Sequence, residues 1–414
     1  MKILILSDDF PPAHEGGAGV IACNIAKGLF KKGEDILVFT TTKEKNEEGK
    51  SVYDGLKIVK VFSDYNERWR AYVSIYNYPV LKKLKEIITE FKPDIVHAHN
   101  IHIGISYGAL KIAKKSKAKV FITMHDVMSF SYGKLRTKRY LETAVEGRPD
   151  CKVSFWDNLK MAKKRFNPFR NFLIRRYLKY ADKIFAVSGA LRDALKNNGI
   201  VGAEVIYNGI EVKNWEIDKN SVINFKRKFN LEDKKIILFG GRLSEGKGLK
   251  KIILAAEEMV KKNPELILLI IGKKELALEQ MEKLLEQKSL TNKVIFTGWI
   301  SGQDLKAAYW SSDIVCVPSL YLDPFPTINL EAMACRKPVV ATCFGGSKEV
   351  VENGETGFII NPNKVSDIAE KIMELLENQE KAKEMGEIGF RRVLEKFSLD
   401  NQIEKLMIWY GKKV

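Results

Sequence analysis

Two basic side chains bracket a glycine-rich turn in the second half of the chain. The segment GGRLSEGKG (240–248) places Arg242 and Lys247 between a strand-like run and a helical pattern. Arginine offers a planar fork that matches phosphate oxygens, lysine adds a movable point charge, and glycines let the backbone approach an anion. The pattern predicts a diphosphate site, on condition that ion-pair partners of their own do not occupy these cations. A tight turn without a ligand is the alternative.

Two carboxylates and a helix start follow in PSLYLDPFPTINLEAMACRKPVVAT (318–342). Asp323 lies in a proline-rich loop, and Glu331 lies eight positions later on a helix that should begin near Thr327. The first N–H groups of a helix lack intrahelical acceptors and carry the positive end of its dipole, so the amides of Thr327 and Ile328 are candidates for a phosphate contact. The carboxylates can accept sugar hydroxyls. This loop-plus-helix arrangement favours binding over paired acid–base hydrolysis.

The first half of the chain gives weaker signals. In PPAHEGGAGV (11–20), Gly17 belongs to a glycine pair before a helix, where N–H groups can face an anion, but a plain strand-to-helix turn explains the pattern equally well. No dinucleotide fingerprint or Walker loop is present. His125 follows one strand-like run, and three histidines follow another: His97, His99 and His102. A metal site at these three is a minor alternative, because no carboxylate or cysteine close in sequence completes it.

Short β-branched runs alternate with helical segments, as in parallel sheets covered on both faces. The runs lie at 2–7, 35–40, 57–62, 94–99, 119–124, 183–188, 235–240, 266–271, 293–298, 313–318, 337–342 and 356–361. The sequence therefore predicts an α/β protein with two Rossmann-like, doubly wound domains, 1–207 and 208–396, facing each other across a cleft. Residues 208–235 form a polar linker in this interpretation. Ligands of such sheets bind at the carboxyl ends of the strands, where the candidate residues gather.

Composition limits the class of protein. The chain has 414 residues, 45% of them hydrophobic and 29% charged, so it can form packed cores. No apolar run approaches the roughly 18 residues that cross a bilayer, and no signal peptide is recognisable, so we expect a cytoplasmic protein. Five scattered cysteines argue against disulfides and structural zinc. The net charge of +17 suits nucleic acid, an anionic membrane or anionic small molecules, or reflects a general bias toward lysine.

Nine segments resemble, in the same order, the retaining glycosyltransferases of the GT-B fold in glycosyltransferase family 4. They are PPAHEGGAG, DIVHAH, TMHD, VSGA, VIYNGI, GGRLSEGKG, IFTGWI, LDPFPTINLEAMACRKPVVAT and GGSKEVVENGETGF. Each is weak alone, and the ordered set is specific. The resemblance implies the GT-B fold and transfer of a sugar from a nucleotide-diphosphate donor with retention at the anomeric carbon. It also implies that no metal or cofactor is needed, and that a C-terminal helix at about 397–414 packs back on the first domain.

The resemblance also implies roles for individual residues. Arg242 and Lys247 would hold the donor diphosphate, Glu331 would bind the ribose, and His125 would contact the donor sugar. Further donor contacts would come from Gly17, Gly298, Ile300, Thr327, Ile328, Gly345 and Gly346. Asp323 stands where the family has a glutamate, so this acid is one methylene shorter. A Pro-Phe-Pro sequence replaces the Gly-Phe-Gly of many members and stiffens the loop.

No residue stands out as a covalent nucleophile, which favours a same-face displacement with charge stabilisation by Arg242 and Lys247. Asp323 and His125 complete the candidate catalytic set. The expected donor is a UDP- or GDP-sugar, and the expected acceptor is a glycan, a lipid-linked molecule or another hydroxyl, in cell-surface polysaccharide or glycolipid synthesis. The alternatives are a non-catalytic GT-B subunit and another double-Rossmann sugar-nucleotide enzyme, such as an epimerase.

Residues 152–183 combine ten Lys/Arg with two acids and interleaved aromatic side chains. Such a basic, aromatic and amphipathic segment is typical of interfacial membrane anchors. It could dock the enzyme on an anionic membrane, at the inner face, or dock a lipid-linked acceptor. A solvated helix that covers the core is the alternative. No recognised RNA-binding module is visible, so we expect no nucleic-acid partner.

Overall fold

A computed structural model describes residues 1–12, 17–241, 243–272 and 278–411, without the side chains of 278–280. The chain divides into two compact units. Unit 1 comprises Met1–Tyr140, Asp150–Gly209 and Leu399–Val414, and unit 2 comprises Leu141–Pro149 and Ile210–Ser398. The breaks between the units fall after Gly209 and after Ser398, and the predicted boundaries lie after 207 and after 396. The short segment Leu141–Pro149 groups with unit 2, which the continuous first domain of the prediction did not anticipate.

Unit 1 is built on an eight-stranded sheet. Its strands are β1 (Lys2–Leu6), β2 (Asp35–Thr42), β3 (Gly49–Tyr53), β4 (Leu56–Phe62), β5 (Ile95–Ala98), β6 (Lys119–Met124), β7 (Lys183–Ala186) and β8 (Glu204–Val205). Their order is β3-β4-β2-β1-β5-β6-β7-β8, and every pair is parallel except β3 with β4. The predicted runs all form strands, because their uninterrupted apolar residues suit a sheet covered on both faces.

Helices surround this sheet. They are α1 (Gly17–Lys31), α2 (Arg70–Val73), α3 (Tyr78–Phe91), α4 (Gly108–Lys115), α5 (Lys138–Val145, which spans the break between the units), α6 (Phe155–Ala162), α7 (Arg170–Leu178) and α8 (Gly189–Asn197). Short 3₁₀ turns occur at Lys45–Glu47, Glu67–Trp69 and Lys163–Arg165. The predicted amphipathic segment at 152–183 is therefore two helices, α6 and α7. Helix α6 ends where Lys163 adopts a φ of +51°, and the residue before Pro168 is disfavoured in the helical conformation, so α7 begins only after this proline.

Unit 2 contains a six-stranded, fully parallel sheet. Its strands are β9 (Lys235–Gly240), β10 (Leu266–Ile271), β11 (Val294–Gly298), β12 (Ile314–Val317), β13 (Val339–Thr342) and β14 (Gly357–Ile360), in the order β11-β10-β9-β12-β13-β14. Its helices are α9 (Lys219–Lys228), α10 (Leu249–Lys262), α11 (Leu278–Gln287), α12 (Gly302–Ser311), α13 (Thr327–Ala334), α14 (Ser347–Val350), α15 (Val365–Glu377) and α16 (Gln379–Lys396). Short 3₁₀ turns lie at Val212–Trp215 and Glu245–Lys247.

Helix α9 corrects the expectation that 208–235 is only a linker. Asp218 caps the helix by accepting a hydrogen bond from the Ser221 amide at 2.9 Å, and Phe225 is buried. The helix also packs on α12. A single buried aromatic among polar residues is too weak a pattern to predict this helix from hydrophobic periodicity.

The last helix, α17 (Leu399–Tyr410), belongs to unit 1 and packs against α1. Its apolar face joins the core of that unit through Leu399, Ile403, Leu406, Met407 and Tyr410. A side chain at Gly28 would meet Ile403 at 2.7 Å, so the glycine permits the close approach of the two helices. Among the described residues, no helix combines the length and apolar character needed to cross a bilayer.

Candidate functional site

In the sheet of unit 2, strands β9 and β12 are neighbours although β10 and β11 lie between them in sequence. From β9 the strand order runs to one edge of the sheet through β10 and β11, and from β12 it runs to the other edge through β13 and β14. Loops that leave two such strands diverge and form the ligand-binding crevice of open α/β sheets. Here they are the predicted turn after β9 and the proline-rich loop after β12. The Leu320 amide donates to the Gly246 carbonyl at 2.8 Å, so the two loops are joined. Gly248 has φ +86°, and a Cβ there would overlap the carbonyl of Pro318, so only glycine fits.

Lys247 and Asp323 form an ion pair at this point. Lys247 Nζ lies 2.6 Å from Asp323 Oδ2, and the Asp323 side chain is almost fully buried. The same carboxylate oxygen accepts hydrogen bonds from Ser319 Oγ at 2.9 Å and from the Tyr321 hydroxyl at 3.1 Å. The expectation that the predicted phosphate cation stands without an ion-pair partner is therefore wrong for Lys247. Its partner is the other predicted site residue.

The pair shifts both pKa values in the direction that keeps both groups charged. Burial raises the pKa of Asp323, but the Lys247 charge and the three hydrogen bonds outweigh it and leave the pKa below its usual value. Burial lowers the pKa of Lys247, but Asp323 and Tyr321 outweigh it and leave the pKa above its usual value. The site thus holds a fixed ammonium and a fixed carboxylate at neutral pH.

The loop that carries Asp323 is fixed by the glycine pair after β13. Asp323 and Gly345 form a parallel β-bridge, and the Gly346 amide donates to the Asp323 carbonyl at 2.9 Å. Gly345 has φ +75°, and a Cβ there would overlap the backbone of Asp323. Gly345 and Gly346 were expected to line the donor site, and the structure places them directly behind the Asp323 backbone.

Helix α13 begins at Thr327, as predicted, and Pro326 precedes it without a side-chain cap. The amides of Thr327 and Ile328 are the first of the helix and therefore have no intrahelical acceptor. One turn later, Glu331 accepts a hydrogen bond from the Tyr309 hydroxyl at 2.5 Å. Burial raises the pKa of Glu331, while hydrogen bonds from Tyr309 and Thr327 oppose this rise.

The remaining predicted donor contacts in unit 2 follow β11. Gly298 is half-buried with φ +75°, and its carbonyl accepts from the Gly272 amide at 3.0 Å, which ties the ends of β10 and β11 together. Ile300 is half-buried in the turn before α12. Arg242 lies outside the described residues.

In unit 1, Gly17 and His125 lie at the carboxyl ends of β1 and β6. Gly17 starts α1 with φ +57°. His125 is half-buried, and its Nε2 lies 2.9 Å from Nδ1 of the buried His99. Burial lowers the pKa of His125 to about 4 and holds that of His99 well below its usual value, so both rings are neutral at pH 7.

The other two described histidines of unit 1, His97 and His102, lie beside protein partners. His97 Nδ1 lies 2.6 Å from the Tyr410 hydroxyl, and its Nε2 lies 2.8 Å from Thr123 Oγ1. His102 Nε2 lies 3.6 Å from Asp126. Within the described ranges, no group of three or more His, Cys, Asp or Glu side chains is arranged to hold a metal ion. The alternative of a metal site at these histidines thus gains no support.

Sequence reasoning missed the residues that hold the predicted ones in place. Tyr309, Ser319 and Tyr321 orient the two acids of unit 2, as described above. In unit 1, Asp8 is buried and accepts from three consecutive amides, those of Ile103, Gly104 and Ile105, at 2.6 to 2.9 Å. In the sequence, Asp8 directly follows the apolar run 2–7 that forms β1. Its amide partners are more than 90 positions away, and no local pattern reveals them.

Two family models match successive parts of the chain: Glycosyltransferase Family 4 at residues 15–214 and Glycosyl transferases group 1 at residues 221–392. A glycosyltransferase of Methanocaldococcus jannaschii is 26% identical over 97% of this chain and 95% of its own length. Among solved structures, sucrose-phosphate synthase of Thermosynechococcus elongatus is 19% identical, with a TM-score of 0.78 over 99% of this chain and 98% of that one. The Anabaena protein HepE in complex with UDP-glucose is 18% identical, with a TM-score of 0.73 over 99% of both chains. The chain therefore belongs to the GT-B-fold glycosyltransferases of the family 4 type.

Proposed function

We propose that the protein is a retaining glycosyltransferase that uses a UDP- or GDP-sugar. The observation that carries this proposal is the fixed Lys247–Asp323 pair beside the uncapped start of α13, at the point where the sheet of unit 2 reverses direction. An ammonium and free helix amides suit a diphosphate, and a buried carboxylate suits sugar hydroxyls. The UDP-glucose in the Anabaena structure supports a UDP-sugar as the first donor to test.

The ion pair is compatible with a phosphate-binding role for Lys247. An ammonium group has three N–H donors. Asp323 takes one and Tyr321 a second, so a third remains for a phosphate oxygen. In this proposal Asp323 holds the lysine in position, and Arg242 supplies a second cation to the same diphosphate.

Asp323 also keeps acceptor capacity for the donor sugar. Its three side-chain donors all bind Oδ2, and Oδ1 has no hydrogen-bond partner among the described residues. We assign Oδ1 to a sugar hydroxyl and Glu331 to the ribose hydroxyls. Gly298 and Ile300 would contact the base, while Gly17 and the amides of Thr327 and Ile328 would contact the phosphates.

The proposed chemistry is a displacement on one face of the sugar. The bond between the anomeric carbon and the phosphate oxygen breaks, and the acceptor oxygen bonds to the same face of that carbon. The acceptor proton passes to the leaving phosphate oxygen. The chain positions the reactants and stabilises the negative charge that develops on the diphosphate. Because Lys247, Arg242 and helix amides supply this stabilisation, we propose that neither a metal ion nor a cofactor is required.

The acceptor in this proposal is a glycan or a lipid-linked molecule of cell-surface polysaccharide or glycolipid synthesis, and the enzyme works in the cytoplasm. A non-catalytic subunit would not turn over the donor, and an epimerase would convert it without an acceptor.

We expect UDP- or GDP-sugars to raise the melting temperature of the protein, because a ligand that binds only the folded state stabilises it. We also expect slow donor hydrolysis with an α-linked donor to release the α-anomer first, with or without EDTA. Release of the β-anomer would reject retention, and the absence of binding to every donor would reject the proposal.

His99 gives this proposal a test at the level of single atoms. In the His99–His125 hydrogen bond, one neutral ring must donate and the other must accept. His99 Nε2 is buried without a partner. A bare nitrogen there is less costly than a buried unpaired N–H, so His99 should carry its proton on Nδ1 and donate to His125. His125 then carries its proton on Nδ1, which has no partner among the described residues and is left to donate to the donor sugar.

We predict that His99→Phe shifts His125 toward the Nε2-protonated tautomer and lowers kcat roughly three- to tenfold, the effect of one hydrogen bond. Nitrogen-15 NMR of the imidazole rings reports the tautomer, and it does so independently of turnover. His102→Gln is the matched control, because His102 lies 3.6 Å from Asp126 and no hydrogen bond joins it to His125 among the described residues. An unchanged His125 tautomer in His99→Phe would contradict the prediction, even if activity fell.

A further inference from the structure

Two adjoining segments of unit 1 expose an unusual number of large aromatic side chains. We call them the aromatic-basic surface, defined as residues 66–78 and 152–179. Their exposed aromatics are Trp69, Tyr72, Tyr76, Tyr78, Phe155, Trp156, Phe169 and Phe172. Trp156 and Phe169 are exposed by 73% and 68%, which are high values for side chains of this size. Monomeric proteins seldom leave such a patch uncovered without a partner.

Direct contacts join the two segments. The 3₁₀ turn Glu67–Trp69 packs against the 3₁₀ turn Lys163–Arg165, and Arg165 Nη1 lies 3.5 Å from Glu67 Oε2. On one side, Trp69 and Tyr72 contact each other edge to face, with ring centroids 5.7 Å apart. On the other side, Phe155 contacts both Trp156 and Phe166, at 5.5 and 5.2 Å. These contacts bring Trp69 and Tyr72 into the same region of unit 1 as Phe155 and Trp156.

The exposed rings sit on ordered helix starts. Ser154 and Asp157 form a reciprocal capping box at the start of α6, which fixes Phe155 and Trp156 in the first turn. Asn167 Oδ1 accepts from the Phe169 amide at 3.0 Å, just before α7. Because the backbone is already fixed, a partner that buries these rings does not have to order the segment.

The aromatic-basic surface carries positive charges that acidic side chains do not balance. Seven cations have no ion-pair partner among the described residues: Lys152, Lys160, Lys163, Lys164, Arg175, Arg176 and Lys179. The two acids of 152–183 are already engaged, Asp157 in the capping box and Asp182 with Lys114. An occupant must therefore supply negative charge and accept inserted aromatic rings at the same time.

We propose that the aromatic-basic surface docks the enzyme on an anionic lipid bilayer. The headgroup layer is negatively charged and takes up Trp and Phe side chains, while Lys and Arg remain at the phosphates. This inference deepens the proposed function, since it favours a lipid-linked acceptor, but it does not depend on the donor site. Docking and donor binding can therefore fail separately.

The test is sedimentation of the full chain with vesicles made of equal parts phosphatidylcholine and phosphatidylglycerol, at low salt. We expect binding to these vesicles and little binding to phosphatidylcholine alone. Lys163→Gln with Lys164→Gln should weaken binding about 25-fold, at about fivefold per charge, and added salt should reduce this difference. Trp156→Ser should weaken binding about tenfold at any salt concentration. The melting-temperature response to nucleotide-sugars should stay unchanged in all these variants.

Matched controls separate a specific surface from the general excess of positive charge. Lys262→Gln with Lys383→Gln removes two exposed lysines of unit 2, and Ile408→Ser removes an exposed apolar side chain of α17. Neither control should change vesicle binding. Absence of binding to the anionic vesicles at low salt would overturn the proposal. The proposal would also be overturned if the lysine control lost as much vesicle binding as Lys163→Gln with Lys164→Gln. The same holds if Trp156→Ser changed only self-association or RNA binding and left vesicle binding unchanged.

Discussion

Replacement of Lys247 by methionine is expected to lower kcat by about 10²–10³, which is the typical loss when one preorganised charge-stabilising donor is removed. Lys247 is fixed by Asp323 at 2.6 Å and by Tyr321, so its charge does not need to reorganise as the leaving diphosphate becomes more negative. Methionine keeps most of the volume and removes the charge. Single-turnover kinetics with a saturating UDP-sugar would measure the chemical step without the effect on donor binding.

Lys250→Met is the control for this experiment. Lys250 is exposed on the first turn of α10, three positions from Lys247, and its replacement changes the local charge by the same amount. The turnover of this variant should stay near that of the wild type. A Lys247→Met protein that is folded and turns over at the wild-type rate would remove Lys247 from the proposed mechanism.

The same ion pair should have a large effect on stability when one side is removed. Lys247→Met leaves the Asp323 carboxylate buried without its counter-charge, and such a change costs about 3–5 kcal/mol in the free energy of unfolding. We expect the lower end of that range, because the Lys247 side chain is 22% exposed. The double variant Lys247→Met with Asp323→Asn should recover most of the loss, since the introduced amide is neutral and can still bond to Ser319 and Tyr321.

Chemical denaturation of the two single variants and the double variant gives the coupling energy of the pair. The pH dependence of this coupling follows from the two shifts. The lowered pKa of Asp323 gives stability that is present above its unfolded value of 3.8 and is lost as pH falls through the folded value. The raised pKa of Lys247 gives stability that is present below 10.5 and is lost as pH rises through its folded value. A coupling near zero at neutral pH would show that the contact contributes nothing to stability.

The strands of the fold could be predicted from the sequence because most are uninterrupted apolar runs. The two that were missed lack this pattern. Strand β3, Gly49–Tyr53, is an edge strand of exposed residues, and β8 has only two residues. Helix α9 was missed for a similar reason, because its burial rests mainly on Phe225. In each case the structure depends on a neighbouring element and not on a local hydrophobic pattern.

The sequence suggested which residues form the proposed donor site, and their roles stay predictions, but it did not reveal that two of them pair. Lys247 and Asp323 are 76 positions apart, and each residue alone suggested a contact to ligand. Only the adjacency of β9 and β12 brings them together. The contact between His99 and His125 was easier to anticipate, because both residues follow strands that are neighbours in the sheet. Strand β5 is parallel to β6, and His97 pairs with Phe121. Continued for two more residues, this register sets His99 opposite Thr123, two residues before His125.

The buried histidines of unit 1 have a consequence for proton uptake. Burial lowers the pKa of His97 to about 3 and of His125 to about 4, and the pKa values of His99 and His102 are also below the usual 6.5. In the unfolded chain each ring binds a proton as pH falls below about 6.5, while the folded chain does not. Between about pH 6.5 and 4, His97 and His125 then each remove about 1.4 kcal/mol of stability per pH unit, and the lowered pKa values of His99 and His102 act in the same direction. Because unit 1 holds four neutral imidazole rings, the folded chain should be most stable near neutral pH and should lose stability as the surroundings become acidic.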